Sequence, residues 1–298
     1  MRFVFAHDSK AVRGLGVGYT QEMLNAVRAA CGGHEVDIGT SPDAYTDLQA
    51  ADGIPVFLLL GSDVALGLWR KLTATKQPFV LVDHPHAGEQ RHKMVRLAVN
   101  GIYAPYAADA PIWEGRTYDW NLQPWRTNLP KTILHCPSAA DFYGQWLERD
   151  QTHGEFEMLA IIHHLKLMGL IHPDWEVALR TRFENKWAEE HQGARPGADD
   201  AILASGAVTD GNSEILFKAL RLGTPAFVWE HPGKPLATPL VNYMPLTLDR
   251  LSHPRNWMAI DREPFFEQLA MSQCTLDELA DPAMFAKLID WQMTYLPV

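Results

Sequence analysis

A chain in which short β-branched and aromatic runs alternate with stretches of helical length has few folds open to it, and this chain alternates almost from its first residue. Strands are expected at about 2–6, 54–60, 78–82 and 99–103, with helical apolar spacing over Thr20–Ala30 and Ser62–Leu72 between them. Such βαβ order builds a mainly parallel sheet with helices on its faces. Residues 104–131 break the pattern with Pro105, Pro111, Pro124 and Pro130 among Trp113, Trp120 and Trp125, and read as a connecting segment. Alternation then resumes. A strand is expected at 132–135, helices from Ser138 and through Phe156–Met168, and a strand near 175–179. A strand over Ala201–Ala204, a turn, a helix over about Asn212–Leu222 and a strand over Pro225–Trp229 follow. The expected architecture is therefore α/β: two Rossmann-like, doubly wound domains, 1–128 and 129–298, facing across a cleft, with ligands beyond the carboxyl ends of the strands. The last helical stretch, Met284–Tyr295, either crosses back onto the first domain or pads the second.

Composition closes off other classes. With 298 residues, 47% of them apolar, and 10 Trp, 12 Phe and 8 Tyr, the chain has material for packed cores and is not a disordered segment. Its longest apolar stretch, Ile54–Leu60, is far short of the roughly 20 residues of a membrane span, and strand-like Arg2–Phe5 opens the chain without a leader, so a cytoplasmic protein with no membrane partner is expected. Cys31, Cys136 and Cys274 lie far apart, in no disulfide or zinc spacing. The net charge of −10 is uneven: residues 1–130 carry 12 Lys and Arg against 13 Asp and Glu, whereas residues 131–298 carry 14 against 23. A polyanion, if one is bound, has to meet the first half.

Chemistry is most legible from Leu203 to Glu214, where a strand is expected to open through a small-residue turn into a helix. Backbone N–H groups at such a turn, and the positive helix end, suit a diphosphate, with hydroxyls from Ser205, Thr209 and Ser213 as further donors. The structural alternative is that Asp210, Asn212 and Ser213 only cap the helix.

The run Ser213–Val228, with Glu214, Ala219, Leu220, Gly223 and Pro225 in the order E-A-L-x-x-G-x-P, resembles the donor-site helix of GT-B glycosyltransferases. Residues Asp261–Leu279 resemble a C-terminal block of GT-B-like proteins encoded by bacteriophages, with Cys274 at a position usually held by Trp. Asp83-His84-Pro85-His86, and Arg96 and Asn100 downstream, are similar to a D-H-G-Y element with a following Arg and Asn in the same proteins, from which Pro85 and His86 depart. The resemblance implies a metal-independent glycosyltransferase with no cofactor. Its donor would be a nucleotide-diphosphate sugar, expected to be a UDP-sugar, held by Ser205, Thr209, Gly211, Asn212, Ser213 and Glu214. The phage likeness further implies a hydroxymethylated pyrimidine in DNA as acceptor, in a host cytoplasm. The alternatives are a surface glycan or small metabolite as acceptor, or a non-catalytic protein that sequesters a nucleotide.

Other residues gain roles from that frame. Arg180 and Arg182 follow the strand near 175–179 and alternate along an extended chain, so both guanidiniums can serve one diphosphate; the alternative is a solvated pair with Glu176 and Glu184. Asp83 and His84 follow the 78–82 strand, and either is placed to take the acceptor's proton, with Asp8 after the first strand as rival. Asp83 as a cap and His84 as a packed side chain is the plainer reading. His84, His86, Arg91, His92, Lys93 and Arg96 form the densest basic run. Arg91, Lys93 and Arg96 are expected, with Lys10, Arg13, Gly16 and Gly18 of the first loop, to contact the acceptor; a solvated helix face is the alternative. Gly14, Gly16 and Gly18 lack the full GxGxxG spacing. No HExxH or GxSxG element is present, so neither a metal site nor a serine nucleophile is expected.

Overall fold

The computed structural model describes residues 1–9, 19–58, 63–85, 93–101, 104, 107, 109–116, 118–136, 160, 163–164, 166–169, 173–180, 197–210, 214–228 and 261–296. These residues divide into two compact units, Met1–Tyr118 with Pro264–Val298, and Asp119–Glu263.

The first unit is built on strands β1 (Phe3–His7), β2 (Glu35–Asp37), β3 (Ile54–Leu58), β4 (Val80–Asp83), β5 (Met94–Val99) and, from the far end of the chain, β10 (Gln273–Thr275). Their order is β10-β5-β4-β3-β1-β2. Strands β1 to β4 are parallel, β5 runs antiparallel to β4, and β10 antiparallel to β5. Side chains alternate between the sheet faces and both faces are covered. Phe3, Phe5, Val56, Val80, Val82, Val95 and Leu97 pack under α1 (Tyr19–Ala30), α7 (Leu276–Ala280) and α8 (Pro282–Tyr295), which contribute Met23, Val27, Leu279, Phe285 and Leu288. Val4, Ala6, Phe57, Phe79 and Leu81 pack instead with Leu48 of α2 (Ala44–Ala50) and Leu68 and Leu72 of α3 (Asp63–Ala74). Helices on both faces of a sheet whose first four strands are parallel make this unit doubly wound, in agreement with the α/β expectation.

The second unit carries an all-parallel sheet, ordered β7-β6-β8-β9, of β6 (Thr132–His135), β7 (Glu176–Leu179), β8 (Ala207–Asp210) and β9 (Ala226–Val228). Helix α4 (Ala198–Leu203) precedes β8 and α5 (Glu214–Arg221) follows it. Leu216, Ala219 and Leu220 of α5 are buried, with Ile133, Val208 and Phe227 of the sheet. Gly223 ends α5 with φ +74°, and a Cβ there would stand 2.0 Å from the carbonyl oxygen of Pro124, so only glycine fits. The close approach lets Gln123 N–H donate to Arg221 O (2.8 Å) and Arg126 N–H to Gly223 O (3.0 Å). Arg262 donates to the carbonyls of Leu220 and Gln123 and lies 4.1 Å from the Trp125 ring centroid, tying both ends of the unit together.

Three expectations are corrected. Ala201–Ala204 is not a strand: Ala198–Leu203 is helical, with Asp199 and Asp200 in its first turn, and the strand is Ala207–Asp210, where the turn was expected. The strand expected at 99–103 lies at Met94–Val99, so the end of the basic run is extended rather than helical. The boundary at 128/129 moves to 118/119, and Pro264–Val298 belongs to the first unit. The cause is backbone pairing of β10 with β5, together with α8, whose Gln292 accepts from Val99 N–H (3.2 Å) and donates to Leu97 O (3.1 Å). Of the two positions open to Met284–Tyr295, the helix takes the one on the first unit.

Candidate functional site

In a doubly wound sheet the chain leaves one central strand toward one side and its neighbour toward the other, and the diverging connections open a crevice at the carboxyl ends. In the second unit the divergence falls between β6 and β8, because β6 connects to β7 on one side and β8 to β9 on the other. His135 ends β6 in register with Thr209, and one residue later β8 ends at Asp210. Helix α5 begins at Glu214. Arg180, the residue after β7, donates its N–H to His135 O at 2.9 Å and stands on the same edge. Strands about 4.8 Å apart put β7 roughly 10 Å from β8, within reach of one diphosphate and an extended arginine.

The members expected to hold a donor are not all on this edge. Ser205 precedes β8 and is at its amino end; it is buried, and its hydroxyl donates to Ala201 O at 2.7 Å. Next to it, a Cβ on Gly206 would lie 1.9 Å from the carbonyl oxygen of Pro130. Ser205 is therefore a residue of the α4 C-terminus, removed by the length of a strand from Asp210. Arg126 closes that helix end, donating to the carbonyls of Leu203 (2.7 Å) and Ser205 (2.9 Å). Thr209 and Glu214 are on the divergent edge by backbone position; Arg182, Gly211, Asn212 and Ser213 lie outside the described residues. His135, buried at the centre of the edge, was not among the expected residues. Its signal was available: it is the last residue of the strand expected at 132–135, which the structure places at Thr132–His135.

On the first unit, the carboxyl edge of β4 meets the amino end of antiparallel β5. Asp83 and Arg96 are register partners across these strands, and Arg96 Nη2 donates to Asp83 Oδ2 at 2.5 Å. The two side chains are 13% and 11% exposed. Asp83 Oδ1 accepts the His84 N–H at 2.7 Å. At the opposite end of the same strand pair, Asn100, at φ +55°, donates its N–H to Phe79 O and accepts Phe79 N–H, both at 3.0 Å. Arg96 and Asn100 thus pin the two ends of one antiparallel pairing. Arg96, expected as an acceptor contact, is an ion-pair partner of Asp83, one of the expected bases. Lys93 is exposed and His84 half-buried on this edge; Lys10, Arg13, Gly16, Gly18 and Arg91 lie outside the described residues.

Asp8, the rival base, follows β1, two strands from β4. A Cβ on Gly39 would come within 2.2 Å of its Oδ1. Nearby, Asp37 at the end of β2 accepts the N–H groups of Ser9 (3.2 Å) and Gly39 (3.1 Å). Desolvation pushes the Asp37 carboxyl up, but hydrogen bonds from Ser9, Thr40 and Gly39 outweigh it and hold the group at about 2. Burial pushes the Cys31 thiol up to about 12 and raises that of Cys274 as well, so neither is a ready thiolate. Among the described residues no three His, Cys, Asp or Glu side chains gather to hold a metal ion, and no helix is long and apolar enough to cross a membrane.

No protein-family model matches the chain, and no curated protein matches it. Among solved structures, the chain is similar to the β-Kdo 2,7 transferase KpsC of Thermosulfurimonas dismutans, at 13% identity and a TM-score of 0.42, over 96% of this chain and 99% of that one. A likeness at that level transfers no residue and no chemistry.

Proposed function

We propose that the protein is a glycosyltransferase that takes a nucleotide-diphosphate sugar at the carboxyl edge of the second unit and transfers the sugar to a hydroxyl acceptor taken by the first. One observation carries the reading. The segment that resembles a GT-B donor helix is α5, and it starts at the divergence of an all-parallel sheet with Arg180 on the same edge. The second unit, Asp119–Glu263, carries 14 Lys and Arg against 19 Asp and Glu, so an anionic ligand there needs local cations and amides, which Arg180 and the start of α5 supply. The bond that breaks joins the anomeric carbon to a phosphate oxygen, and its electron pair leaves on the diphosphate, where positive charge lowers the barrier. The acceptor oxygen takes the carbon and gives up its proton to a base.

Of the two acceptor classes, a glycan or small metabolite is favoured over DNA carrying hydroxymethylated pyrimidines. Arg96 is neutralised by Asp83, which leaves the described part of the basic run with Lys93 as its exposed cation and weakens the case for a phosphate backbone.

The test is thermal unfolding of the protein with a panel of nucleoside mono- and diphosphate sugars, followed by release of labelled nucleotide with glycans or hydroxymethylated DNA as acceptors. A ligand at 100 times its Kd stabilises the folded state by about 2.7 kcal/mol, a readily measured rise in midpoint. The expected result is a rise with a diphosphate sugar that Arg180→Ala abolishes. A flat response to the whole panel, or a rise indifferent to Arg180, overturns the reading.

A further inference from the structure

The chain passes between its two units twice, at 118/119 and at 263/264. On the side of the second unit, both passages are fastened to one helix end. That end is the C-terminus of α5, whose N-terminus lies at the candidate donor edge. From the run after the first passage, the Gln123 N–H donates to Arg221 O (2.8 Å) and the Arg126 N–H to Gly223 O (3.0 Å). Beside the second passage, the buried Arg262 donates to Leu220 O and to Gln123 O, the latter at 2.6 Å, and its guanidinium lies 4.1 Å from the Trp125 ring centroid. Ending the helix does not require this arginine. The Gly223 N–H donates to Leu220 O (3.2 Å) and the Thr224 N–H to Ala219 O (2.9 Å), which closes α5 by backbone alone. What Arg262 adds is a joint. Its planar fork takes one carbonyl from the helix and one from the run after the first passage, while its face rests on Trp125 of that same run.

We propose that Arg262 is a positioning residue for sugar transfer, which fastens both passages to the far end of the donor helix so that the donor edge and the two connections move as one piece. The proposal rests on the glycosyltransferase reading above and adds to it how the donor edge is held. The eight residues of α5 span about 12 Å, and Leu216, Ala219 and Leu220 bury one face of it in a packed core. Such a helix passes a displacement from one end to the other rather than absorbing it. Transfer to a bound acceptor is sensitive to displacement, because a misplacement of about 1 Å can cost about 10²-fold in rate. Hydrolysis of the donor by water asks for no acceptor to be held in place. Loosening the joint therefore separates the two reactions, whereas a general loss of structure lowers both.

The experiment uses the full chain as wild type, Arg262→Gln, Arg262→Lys and Trp125→Leu, with the nucleotide sugar that raises the melting midpoint most. Release of nucleotide is followed with water alone and with the glycan that serves best as acceptor. Arg262→Gln is expected to keep the midpoint rise and the donor KM, to hydrolyse donor within about twofold of wild type, and to transfer about 10- to 100-fold more slowly. Arg262→Lys keeps the charge and can reach one carbonyl, so its transfer is expected to lie between. Trp125→Leu leaves both carbonyl bonds in place and is expected to lose less than about threefold. Equal losses of hydrolysis and transfer, or wild-type transfer in Arg262→Gln, overturn the proposal. Should Arg262→Gln not fold, Arg262→Lys decides: a lowered ratio of transfer to hydrolysis supports the joint, and an unchanged ratio overturns it. Where no glycan accepts the sugar, amide exchange decides. Bound donor is expected to slow exchange at Gln123 in wild type and not in Arg262→Gln, and equal slowing in both, or none in wild type, overturns the proposal. A flat midpoint response of wild type to every nucleotide sugar refutes the glycosyltransferase reading, and the proposal with it, before any variant is compared.

Discussion

At the scale of single residues, the carboxylates of the first unit are set apart by what they accept. Asp37 takes N–H groups from Ser9 and Gly39, and with Thr40 these hold its carboxyl near 2 against an ordinary 3.8. A folded-state value below the unfolded one means that the group stabilises the fold fully above about pH 4, and that this contribution is lost as pH falls toward 2. Asp37→Asn is expected to lower stability by about 1 kcal/mol above pH 4, the size of a net hydrogen bond. The gap between variant and wild type should then close from pH 4 to pH 2, read as the difference in thermal midpoint along a pH series. A gap of constant size over that window would show that the charge on Asp37 contributes nothing. Asp83 is of another kind, since its oxygens go to a guanidinium and to the backbone of its neighbour.

Elements show where sequence patterning carries information and where it stops. The strands at 54–58 and 132–135 and the helices at 19–30 and 214–221 follow their own apolar spacing and were legible from it. Ala198–Leu203 was not, since Ala201, Ile202 and Leu203 make an apolar run too short to distinguish a strand from one and a half turns of helix; Gly197 and Asp200 settle it locally, with the Gly197 N–H donating to Asp200 Oδ2. Three-residue β2 and β10 carry no period at all and exist because β1 and β5 offer them an edge. Among the residues expected to hold a donor, Glu214 begins a helix that follows its own apolar spacing, whereas Ser205 lies at the amino end of β8 because the strand expected at Ala201–Ala204 is helical there. Arg116 illustrates a long-range cause. Its side chain donates to Ala270 O (3.0 Å), Gln273 O (2.6 Å) and Glu278 Oε1 (2.8 Å), clamping α6 (Glu263–Met271), β10 and α7 with one guanidinium that is 8% exposed. Glu278 is half-buried; desolvation raises its carboxyl, and hydrogen bonds from Thr275 together with Arg116 bring it below its ordinary value. Arg116→Met removes a charged donor from two carbonyls and the ion-pair partner of Glu278, although Tyr118 still bonds Gln273 O and the Thr275 N–H still bonds Glu278, so a loss of roughly 2–3 kcal/mol is expected. Urea unfolding would register this as a lower midpoint at unchanged slope; a loss under about 1 kcal/mol would mean that water serves those acceptors equally well.

For the whole molecule, the decisive fact is that the first unit is assembled from both ends of the chain. Phe265, Phe266, Leu269, Phe285, Leu288 and Ile289 are all at most 3% exposed, and all come from the C-terminal segment. At about 1.5–3 kcal/mol for each large apolar side chain buried, these six contribute roughly 9–18 kcal/mol, as much as the whole net stability of a typical domain. β10 also occupies the outer edge of β5, and its loss would leave that edge unpaired. A chain ending at Glu263 is therefore expected to lose the first unit and keep the second, whose core of Ile133, Val208, Leu216, Leu220 and Phe227 lies wholly within Asp119–Glu263. Amide exchange measures the two separately. Backbone N–H groups of β1, β3 and β4 should exchange freely in the truncated chain while those of β6 and β8 remain protected. The division expected from sequence, with 129–298 as one domain, makes the opposite forecast, because truncation would then open the second sheet and spare the first. Protection that persists in β1 and β3 after truncation would mean that α1, α2 and α3 suffice to cover that sheet. The same truncated chain separates the two halves of the functional proposal: donor binding should survive in it if α5 and Arg180 are what hold the diphosphate, and transfer should not, because the unit proposed to take the acceptor has gone.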